Sequence, residues 1–365
     1  MKIGILTMSH GVNYGNRLQN YAVQFTLEKL GCKAETIKNY TNQKIIRDSS
    51  IKERLKNKVI DIYFNNNINI RWMNYRLRSK RFKDFNKQYI KYSNFIISKD
   101  NIPKHIDDYY DYFVCGSDQI WNPEFPINSH IDFLTFVKEE KRIAYSPSFG
   151  ISKLPEYCKK DYKKWINGIP NLSVRELAGA KIIKDLTGKD AQVLVDPTLN
   201  LTKEEWLSMA KKPQFTVSNK YIFSYFLGNV SDKIKNKIKG IAKQYNFEII
   251  DILDADKKHI FSTDPSEFIW LLNNAELICT NSFHGTIFSI IMKKPFIVFE
   301  RNDKYSSMNS RMDTLLKLFN MEHRLHDNIN YTKSEVFYMD FKKVDEIINN
   351  EKEKSIKYLK KCLNL

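Results

Sequence analysis

The chain has 365 residues, of which 42% are hydrophobic, and a formal net charge of +17. This length exceeds what one compact hydrophobic core accommodates and fits two domains of ordinary size. No run reaches the roughly 18 apolar residues of a membrane-spanning helix, and the five cysteines form no CxxC pair, which argues against a zinc site or a disulfide framework.

The sequence begins with Met1 and an apolar run, KIGILTM, which indicates a strand rather than a signal peptide. Together with the scattered cysteines, this predicts a cytoplasmic protein. Lysine-rich stretches such as 233–240 and 352–361 are typical of solvated helix faces and account for part of the positive charge. The remainder is consistent with an anionic substrate or with peripheral contact to the anionic inner face of a membrane.

Residues 3–37 predict a strand, a polar loop, a helix from residue 17 and a second strand, the order of a Rossmann-like domain. The loop lies at the sheet edge where such domains bind ligands. It contains Asn13 and Tyr14, with Arg17 close behind, and we interpret these three residues as candidates for ligand binding. An ordinary helix-entry turn is the alternative interpretation.

Residues 43–105 interrupt this pattern with many Lys, Arg, Asn and Ile residues and little strand signal. We interpret them as a basic helical insertion. Within it, the segment 71–82 alternates aromatic and basic residues at helical spacing. Such a helix can bind nucleic acid, a membrane surface or a polyanionic glycan, or it can be a surface helix whose long side chains cover apolar neighbours.

The stretch 109–123 predicts a strand that ends in a sharp polar turn. Asp118 and Gln119 follow the strand directly and can hydrogen-bond a hydroxylated ligand. Trp121 can stack on the face of a sugar, and Asn122 follows it. Alternatively, Asp118 only caps the turn.

Arg175 follows a short predicted strand at 172–174 and precedes a helix. This position brings a guanidinium to the sheet edge, where it can bind an anion through two hydrogen bonds. A surface ion pair with Glu176 or Asp185 is the alternative.

A polar link at 200–219 predicts the boundary between two lobes. Residues 1–200 form the first Rossmann-like lobe with the 43–105 insertion, and residues 201–345 form the second. Residues 346–365 predict a basic helix that crosses back onto the first lobe. We expect each lobe to hold its own parallel sheet and its own core.

The stretch 276–300 predicts a buried strand, a polar turn, a buried helix and another strand. The turn brings His284 to the start of the helix, where free N–H groups and the helix dipole favour phosphate or carboxylate. A histidine there can transfer protons, or it can be satisfied by local hydrogen bonds. Ser282 is a good N-cap residue, and Gly285 lets a ligand approach the backbone.

Six motifs follow one another along the chain. They are NYGNRLQNYAVQFTLEKLG near the start, FVCGSDQIWNP at 113–123, RIAYSPSFG at 142–150, SVREL at 173–177, VLVDPTL at 193–199 and TNSFHGTIFSIIMKKPFI at 280–297. In this order and spacing the chain resembles the polysaccharide pyruvyl transferase family, from Lys2 to about Phe319. The combination of GSDQ-W-NP with SFHGT makes the resemblance specific.

The resemblance implies a glycosyltransferase-B-like α/β fold, with two Rossmann-like lobes and a cleft between them. It implies transfer of pyruvate from phosphoenolpyruvate to two hydroxyls of a sugar, which forms a cyclic ketal in a surface polysaccharide or exopolysaccharide or in its lipid-linked precursor. No metal and no further cofactor are implied. His284 matches the family's motif histidine, and Arg175 matches an arginine near the donor. Residues 282–284 read Ser-Phe-His where active members often have Arg-Leu-His, so we expect Arg311 or Arg17 to substitute, or the donor to differ.

Such a transfer needs cations for the phosphate and carboxylate of the donor, an acid for its C3 and a base for the acceptor hydroxyl. We assign proton transfer to His284 and assign to Asp118 the orientation or deprotonation of the acceptor. The predicted donor-binding residues are Arg175, Arg311, Arg17, Ser282 and Gly285. The predicted acceptor-binding residues are Asn13, Tyr14, Gln119, Trp121 and Asn122.

Two other functions stay open. A glycosyltransferase of the same two-lobed type would use a nucleotide sugar, which needs a stacking aromatic residue and a ribose-binding carboxylate in the second lobe, and the sequence shows no clear pair. A non-catalytic glycan- or nucleic-acid-binding protein is favoured mainly by the 71–82 segment, although no known nucleic-acid motif occurs. We therefore expect a sugar or lipid-linked glycan as partner, and no nucleic acid.

Overall fold

The structure is a computed structural model, and it describes residues 1–9, 11–41, 67–125, 128–217, 220–301, 309–329, 331 and 334–365. Within these ranges the chain forms two separate sheets, one of seven strands and one of four. Every strand pair in both sheets is parallel. The predicted α/β fold with two Rossmann-like lobes is confirmed.

The first sheet contains β1 (Lys2–Leu6), β2 (Lys33–Asn39), β3 (Tyr92–Ile97), β4 (Tyr112–Cys115), β5 (Arg142–Ala144), β6 (Asn171–Val174) and β7 (Gln192–Val193). Its helices are α1 (Tyr14–Lys29), α2 (Asn67–Tyr89), α3 (Lys159–Asn167) and α4 (Leu177–Thr187). The strand order is β3-β2-β1-β4-β5-β6-β7. The order therefore reverses between β1 and β4, and the crevice at such a switch point is where open α/β sheets bind ligands.

The second sheet contains β8 (Tyr221–Tyr225), β9 (Glu248–Asp251), β10 (Leu277–Thr280) and β11 (Phe296–Val298), in the order β11-β10-β8-β9. The remaining helices are α5 (Lys203–Leu207), α6 (Asp232–Tyr245), α7 (Lys258–Phe261), α8 (Pro265–Asn274), α9 (Phe283–Ile291), α10 (Asn309–Leu318) and α11 (Val344–Leu363). Strand β10 is buried along its whole length, and all its residues except Thr280 are apolar, as expected for a central parallel strand covered on both faces.

The C-terminal helix α11 returns to the first lobe. Its buried positions Ser355, Tyr358, Leu359, Cys362 and Leu363 recur at helical spacing and form one face. Four of them pack in a cluster with apolar residues of β1 and α1, and the Tyr358 hydroxyl donates a hydrogen bond of 2.8 Å to the carbonyl oxygen of Ala144 in β5. The predicted crossing back is confirmed. None of the helices in the described ranges has the length and apolar content to span a membrane.

The largest buried apolar cluster is shared by the two lobes. It joins Leu18 of α1 and Phe82 of α2 to Phe268 of α8 and Phe288 of α9. The predicted polar link contributes as well, because Trp206 is fully buried in this cluster and its indole donates to the carbonyl oxygen of Thr198 at 3.0 Å. We expected a separate core in each lobe. Each sheet does have apolar clusters of its own, around Phe113 and Ile183 in the first lobe and around Ile222 and Ile297 in the second, and the shared cluster joins the lobes in addition. The exact lobe boundary stays a prediction.

The predicted insertion at 43–105 is only partly helical. Residues 43–66 lie outside the described ranges, α2 contains the basic aromatic segment, and residues 92–97 form strand β3, which the sequence analysis did not predict. This strand pairs only with β2 at the edge of the sheet. An edge strand needs fewer apolar residues than a central one, so its sequence signal is weak.

The basic face of α2 contacts the second lobe. Arg81 pairs with Glu267 of α8 at 2.6 Å, and Arg71 pairs with Asp256 at 2.6 Å. Arg78 is buried and donates to the carbonyl oxygen of Phe261 at 2.6 Å. Several of the cations that suggested nucleic acid or a membrane are therefore used within the chain, to attach α2 to the other lobe.

Candidate functional site

A cavity of about 430 Å³ lies where the carboxyl ends of β1 and β4 in the first lobe face those of β8, β10 and β11 in the second. Residues that follow these strands come together at this edge, as the topology dictates. Six of the predicted site residues line the cavity, and they are Asn13, Asp118, Gln119, Ser282, His284 and Arg311. The other six do not line it, and they are Tyr14, Arg17, Trp121, Asn122, Arg175 and Gly285.

His284 lies in the first turn of α9. The Ser282 hydroxyl caps this helix by accepting a hydrogen bond from the Gly285 amide at 3.3 Å. The buried His284 ring lies against Gly15 at the start of α1, where an added Cβ would stand 2.1 Å from Nδ1. The starts of two helices from opposite lobes therefore meet at this imidazole. The sequence analysis did not predict this contact.

Asp196 lies behind His284 and was not among the predicted residues. Its Oδ2 is 3.5 Å from Nε2 of His284, and it accepts hydrogen bonds from Arg175 at 2.5 Å and from the Ser117 hydroxyl at 3.1 Å. Its other oxygen accepts from the Thr198 amide at 3.0 Å. Burial alone would raise the pKa of Asp196, but the neighbouring His284, Arg175 and Thr198 amide hold that pKa well below its usual range. A buried, ionised carboxylate therefore stands beside the imidazole, an arrangement that orients a histidine and stabilises its cation.

Arg175 is buried behind the cavity wall. Its guanidinium pairs with Asp196 at 2.5 Å and with Asp118 at 3.2 Å, and it lies over the Phe283 ring at 4.4 Å. Arg175 does not line the cavity of His284, so the prediction that it lines the cleft there is corrected, and its role in donor binding stays a prediction. Both terminal nitrogens of Arg175 donate to carboxylates, whereas its Nε has no described partner, so this arginine is placed to position Asp118 and Asp196.

Asp118 and Gln119 reach the cavity because the turn after β4 is sharp. Asp118 adopts a left-handed conformation with φ of 59°, and its carbonyl oxygen accepts from the Ser148 amide at 2.7 Å. Its carboxylate is 4.0 Å from Arg311. The side-chain oxygen and nitrogen of Gln119 both find partners in one orientation of the amide. In that orientation the oxygen accepts from Nη1 of Arg311, 3.2 Å away. Asp118 and Gln119 of the first lobe thus hold Arg311 of the second.

Arg311 lines the cavity near the start of α10. Its guanidinium carbon lies 5.5 Å from the centre of the Phe283 ring, on which Arg175 also packs. Burial, reinforced by repulsion from Arg175, lowers the pKa of Arg311 to about 10. A cation in this environment gains from an anionic ligand, because the ligand's charge offsets the cost of burial.

Trp121 and Asn122 do not contact the cavity, which corrects their predicted role in acceptor binding. Trp121 is fully buried, stacks on Phe133 at 5.0 Å between ring centres and donates to the Asp132 carbonyl oxygen at 3.0 Å. Asn122 is also fully buried, and its side-chain amide contacts that of Gln119 at 2.9 Å. The chain turns into the core after Gln119, so these two residues support the turn.

Tyr14 and Gly285 also have structural positions. Helix α1 begins at Tyr14, earlier than predicted, because the Asn13 side chain accepts from the Asn16 amide at 3.2 Å and caps it. The Tyr14 ring is therefore carried into the core, where its hydroxyl donates to the Thr263 carbonyl oxygen at 2.8 Å.

At Gly285 an added Cβ would stand 2.5 Å from the Thr280 hydroxyl oxygen. This glycine permits close packing of α9 on β10, which corrects its predicted role in ligand approach.

Arg17 lines a different cavity, between α1, β2 and α2, and its guanidinium donates to the Gly11 carbonyl oxygen. Helix periodicity explains the difference, since Asn16 and Arg17 point to different sides of α1. The prediction that Arg17 contacts the donor near His284 is therefore corrected.

Three charged residues line the main cavity without having been predicted. Glu300 and Arg301 follow β11, and Asp313 lies on α10. Glu300 could have been found from its position directly after a buried strand, beside the predicted His284 turn. The carboxylates of Glu300 and Asp313 are suited to accept hydrogen bonds from sugar hydroxyls.

The model of the family described as polysaccharide pyruvyl transferase matches residues 13–303. No sequence among curated proteins matches significantly. UDP-GlcNAc 2-epimerase from Methanocaldococcus jannaschii, in complex with UDP-GlcNAc and UDP, is a similar solved structure, with 15% identity over 96% of this chain and 99% of that chain and a TM-score of 0.45. E. coli ADP-heptose LPS heptosyltransferase II is another, with 11% identity over 100% of this chain and 98% of that chain and a TM-score of 0.35.

Proposed function

Because the chain belongs to the polysaccharide pyruvyl transferase family, we propose that it transfers pyruvate from phosphoenolpyruvate to two hydroxyls of one sugar. The product is a cyclic ketal on a surface polysaccharide or exopolysaccharide, or on its lipid-linked precursor. The observation that carries this proposal is that His284, in the first turn of α9, and Arg311 line the same cavity. The donor is itself a substrate, and the family resemblance implies no further cofactor.

The start of α9 and Arg311 supply the charge that the donor requires. Phosphoenolpyruvate carries a phosphate and a carboxylate, and the first amides of a helix have no partner within the helix. Arg311 adds a buried guanidinium, which binds such oxygens through two hydrogen bonds. Of the two arginines considered as substitutes for the motif arginine, only Arg311 lines this cavity. We assign the substitution to Arg311.

Proton transfer follows from the position of His284. The imidazolium gives a proton to C3 of the donor, and the first sugar hydroxyl forms a bond to C2 as it loses its proton to Asp118. The C–O bond to phosphate then breaks with its electron pair, and the second hydroxyl closes the ketal as it loses its proton. One hydroxyl proton restores His284 and the other leaves with inorganic phosphate, so the protons balance. Asp196 stabilises the imidazolium before the transfer.

A glycosyltransferase that uses a nucleotide sugar is the second candidate, and one observation favours it. Phe299 and Glu300 of the second lobe both line the cavity, which supplies the aromatic residue and carboxylate that a nucleoside requires. However, the Phe299 ring is buried and stacks on His326 at 4.6 Å between ring centres. Because its face is already covered, we rank this candidate below pyruvyl transfer.

A ligand screen separates the candidates. The melting temperature of the protein is measured with phosphoenolpyruvate, UDP, GDP and CMP, each at the same concentrations. We expect a rise that saturates with phosphoenolpyruvate only, because a ligand that binds the folded state stabilises it. The matched variant Arg311→Gln should lose this rise. A saturating rise with a nucleotide, and none with phosphoenolpyruvate, would favour glycosyl transfer instead.

A further inference from the structure

A second cavity, of about 480 Å³, lies between α1, β2 and α2, on the other side of the loop that precedes α1. Gly11 and Val12 line this second cavity, whereas Asn13 and Asn16 line the cavity of His284. The second cavity is thus separated from the first by the start of one helix. It contains none of the residues assigned to pyruvyl transfer.

All charged side chains among the described residues that line the second cavity are positive. Four cations line it, namely Arg17, Lys38, Lys83 and Lys87, and no Asp or Glu is found among its described lining residues. Part of this pattern is visible in the sequence, because Tyr75, Ser79, Lys83 and Lys87 recur every four residues along α2 and therefore share one face of the helix. Unlike Arg71 and Arg81 on the same helix, the two lysines have no carboxylate partner among the described residues.

Arg17 is the distinctive member of this group. Its side chain is 4% exposed, and its single described hydrogen bond is from Nη2 to the Gly11 carbonyl oxygen. Nε and Nη1 have no partner in the described part of the chain. The other buried arginine of this region, Arg78, donates to the carbonyl oxygen of Phe261 and to the Tyr14 hydroxyl. A buried guanidinium without a counter-charge is costly unless an anion completes its environment.

We propose that this second cavity binds the phosphate or diphosphate group of a sugar-bearing ligand through Arg17, Lys83 and Lys87. Arginine and lysine are the side chains that bind phosphate oxygens. The exposed rings of Tyr40 and Tyr75 line the same cavity and offer faces on which a sugar can pack. If the chain is a pyruvyl transferase, this ligand is the acceptor, held by its phosphate. That identification rests on the proposed function, whereas the anion site does not.

The first experiment measures the binding of inorganic pyrophosphate by calorimetry. All proteins carry Arg311→Gln, so that the His284 cavity does not compete for the anion. We expect saturable binding that becomes at least tenfold weaker in Lys83→Gln/Lys87→Gln and in Arg17→Gln. Lys80→Gln is the matched control, because Lys80 is an exposed lysine of the same helix and does not line the cavity. Lys83 and Lys87 are exposed, so both can be changed without disturbing the core. The Lys83→Gln/Lys87→Gln variant therefore gives a result even if Arg17→Gln is unstable.

A second arm distinguishes a ligand-borne phosphate from a lipid headgroup. Vesicles of phosphatidylcholine, with and without phosphatidylglycerol, are sedimented with the same proteins. Saturable pyrophosphate binding that depends on Lys83 and Lys87 supports a ligand-borne phosphate. If the Lys83→Gln/Lys87→Gln protein binds pyrophosphate as well as its Lys80→Gln counterpart does, the proposal is overturned. Binding only to phosphatidylglycerol vesicles also overturns it, since it would assign the lysines to a membrane surface.

Discussion

Gly15 and His284 come from opposite lobes, and the imidazole of His284 packs against Gly15. An added Cβ at Gly15 would stand 2.1 Å from Nδ1 and 2.5 Å from Cγ of the ring. No real Cβ tolerates such distances, so one of the two groups would have to move. The His284 ring can take its orientation only because residue 15, in the other lobe, is a glycine without a side chain.

The first prediction follows from this contact. Gly15→Ala should displace the His284 ring and slow phosphate release from phosphoenolpyruvate in the presence of acceptor by about tenfold or more, since small misplacements of a reacting group are costly. The matched control is Gly240→Ala in α6, where an added Cβ meets nothing within 4 Å. That variant should keep full activity and gain up to about 1 kcal/mol of stability. Equal activity of the two variants in a phosphate-release assay would show that the contact does not position the ring.

The second prediction concerns proton transfer. His284→Asn keeps a similar size and one hydrogen-bonding group but cannot transfer a proton. We expect a folded protein that still binds phosphoenolpyruvate and releases phosphate about a hundredfold more slowly, because loss of general acid–base catalysis costs ~10²–10⁴ in rate. Calorimetry measures the binding, and a phosphate-release assay measures the rate. Wild-type turnover by this variant would remove His284 from the mechanism and make Asp118 the next candidate.

The third prediction separates donor binding from structural support. Arg311→Gln should weaken phosphoenolpyruvate binding by roughly 10- to 150-fold, which corresponds to a charge-assisted hydrogen bond worth about 1.5–3 kcal/mol. Lys317→Gln is the control, because this exposed lysine lies on the same helix but does not line the cavity. Dissociation constants from calorimetry test both variants. Unchanged affinity in Arg311→Gln would mean that the α9 amides alone hold the donor.

The fourth prediction concerns the pH dependence of stability. The pKa of Asp196 is lowered in the folded protein, so its ionised form contributes stability above pH ~4, the usual value for aspartate. This contribution is lost as the pH falls through the lower folded value. Asp196→Asn should cost about 3–5 kcal/mol at pH 7, because it breaks the buried ion pair with Arg175 and leaves this guanidinium with Asp118 as its one described carboxylate partner. The difference in unfolding free energy between the wild type and Asp196→Asn should be constant between pH 7 and 5 and shrink below pH 4.

The control for this prediction is Asp185→Asn, since Asp185 forms an exposed ion pair with Lys181. Such a pair contributes at most about 1 kcal/mol, and we expect a small difference. Urea unfolding at each pH measures the free energy of unfolding of the wild type, Asp196→Asn and Asp185→Asn. A wild-type advantage over Asp196→Asn that does not diminish below pH 4 would contradict the lowered pKa.

The sequence predicted the location of the site better than the function of each side chain. Residues after consecutive parallel strands must meet at one edge, so the turn after β4 and the turn after β10 placed Asp118 and His284 correctly in one cavity. Side-chain direction is not fixed by that rule. Trp121 is three residues from Asp118, yet it packs on Phe133 in the core, and only the tertiary structure decides this.

Pairing between distant charges was equally hard to predict. Arg175 was expected at the cleft because it follows a strand, and it does lie at that edge. Its partners Asp118 and Asp196 come from two other strand ends, and a single sequence gives no sign of which charges will neutralise one another. Asp196 was missed because Asp-Pro-Thr after a strand is also an ordinary turn, which this residue indeed caps.

The shared core has a consequence for dissecting the protein. Trp206, Leu201 and Met209 lie on the segment that joins the lobes, yet all three are buried in the cluster to which both lobes contribute. A chain cut between 210 and 220 would therefore give two fragments that each expose a large apolar surface. We expect them to aggregate when produced separately and to reconstitute an active complex when co-expressed, as shown by co-purification of a tagged fragment. The two lobes therefore cannot be exchanged as independent modules, because such exchange would require the contact surface to change on both sides together.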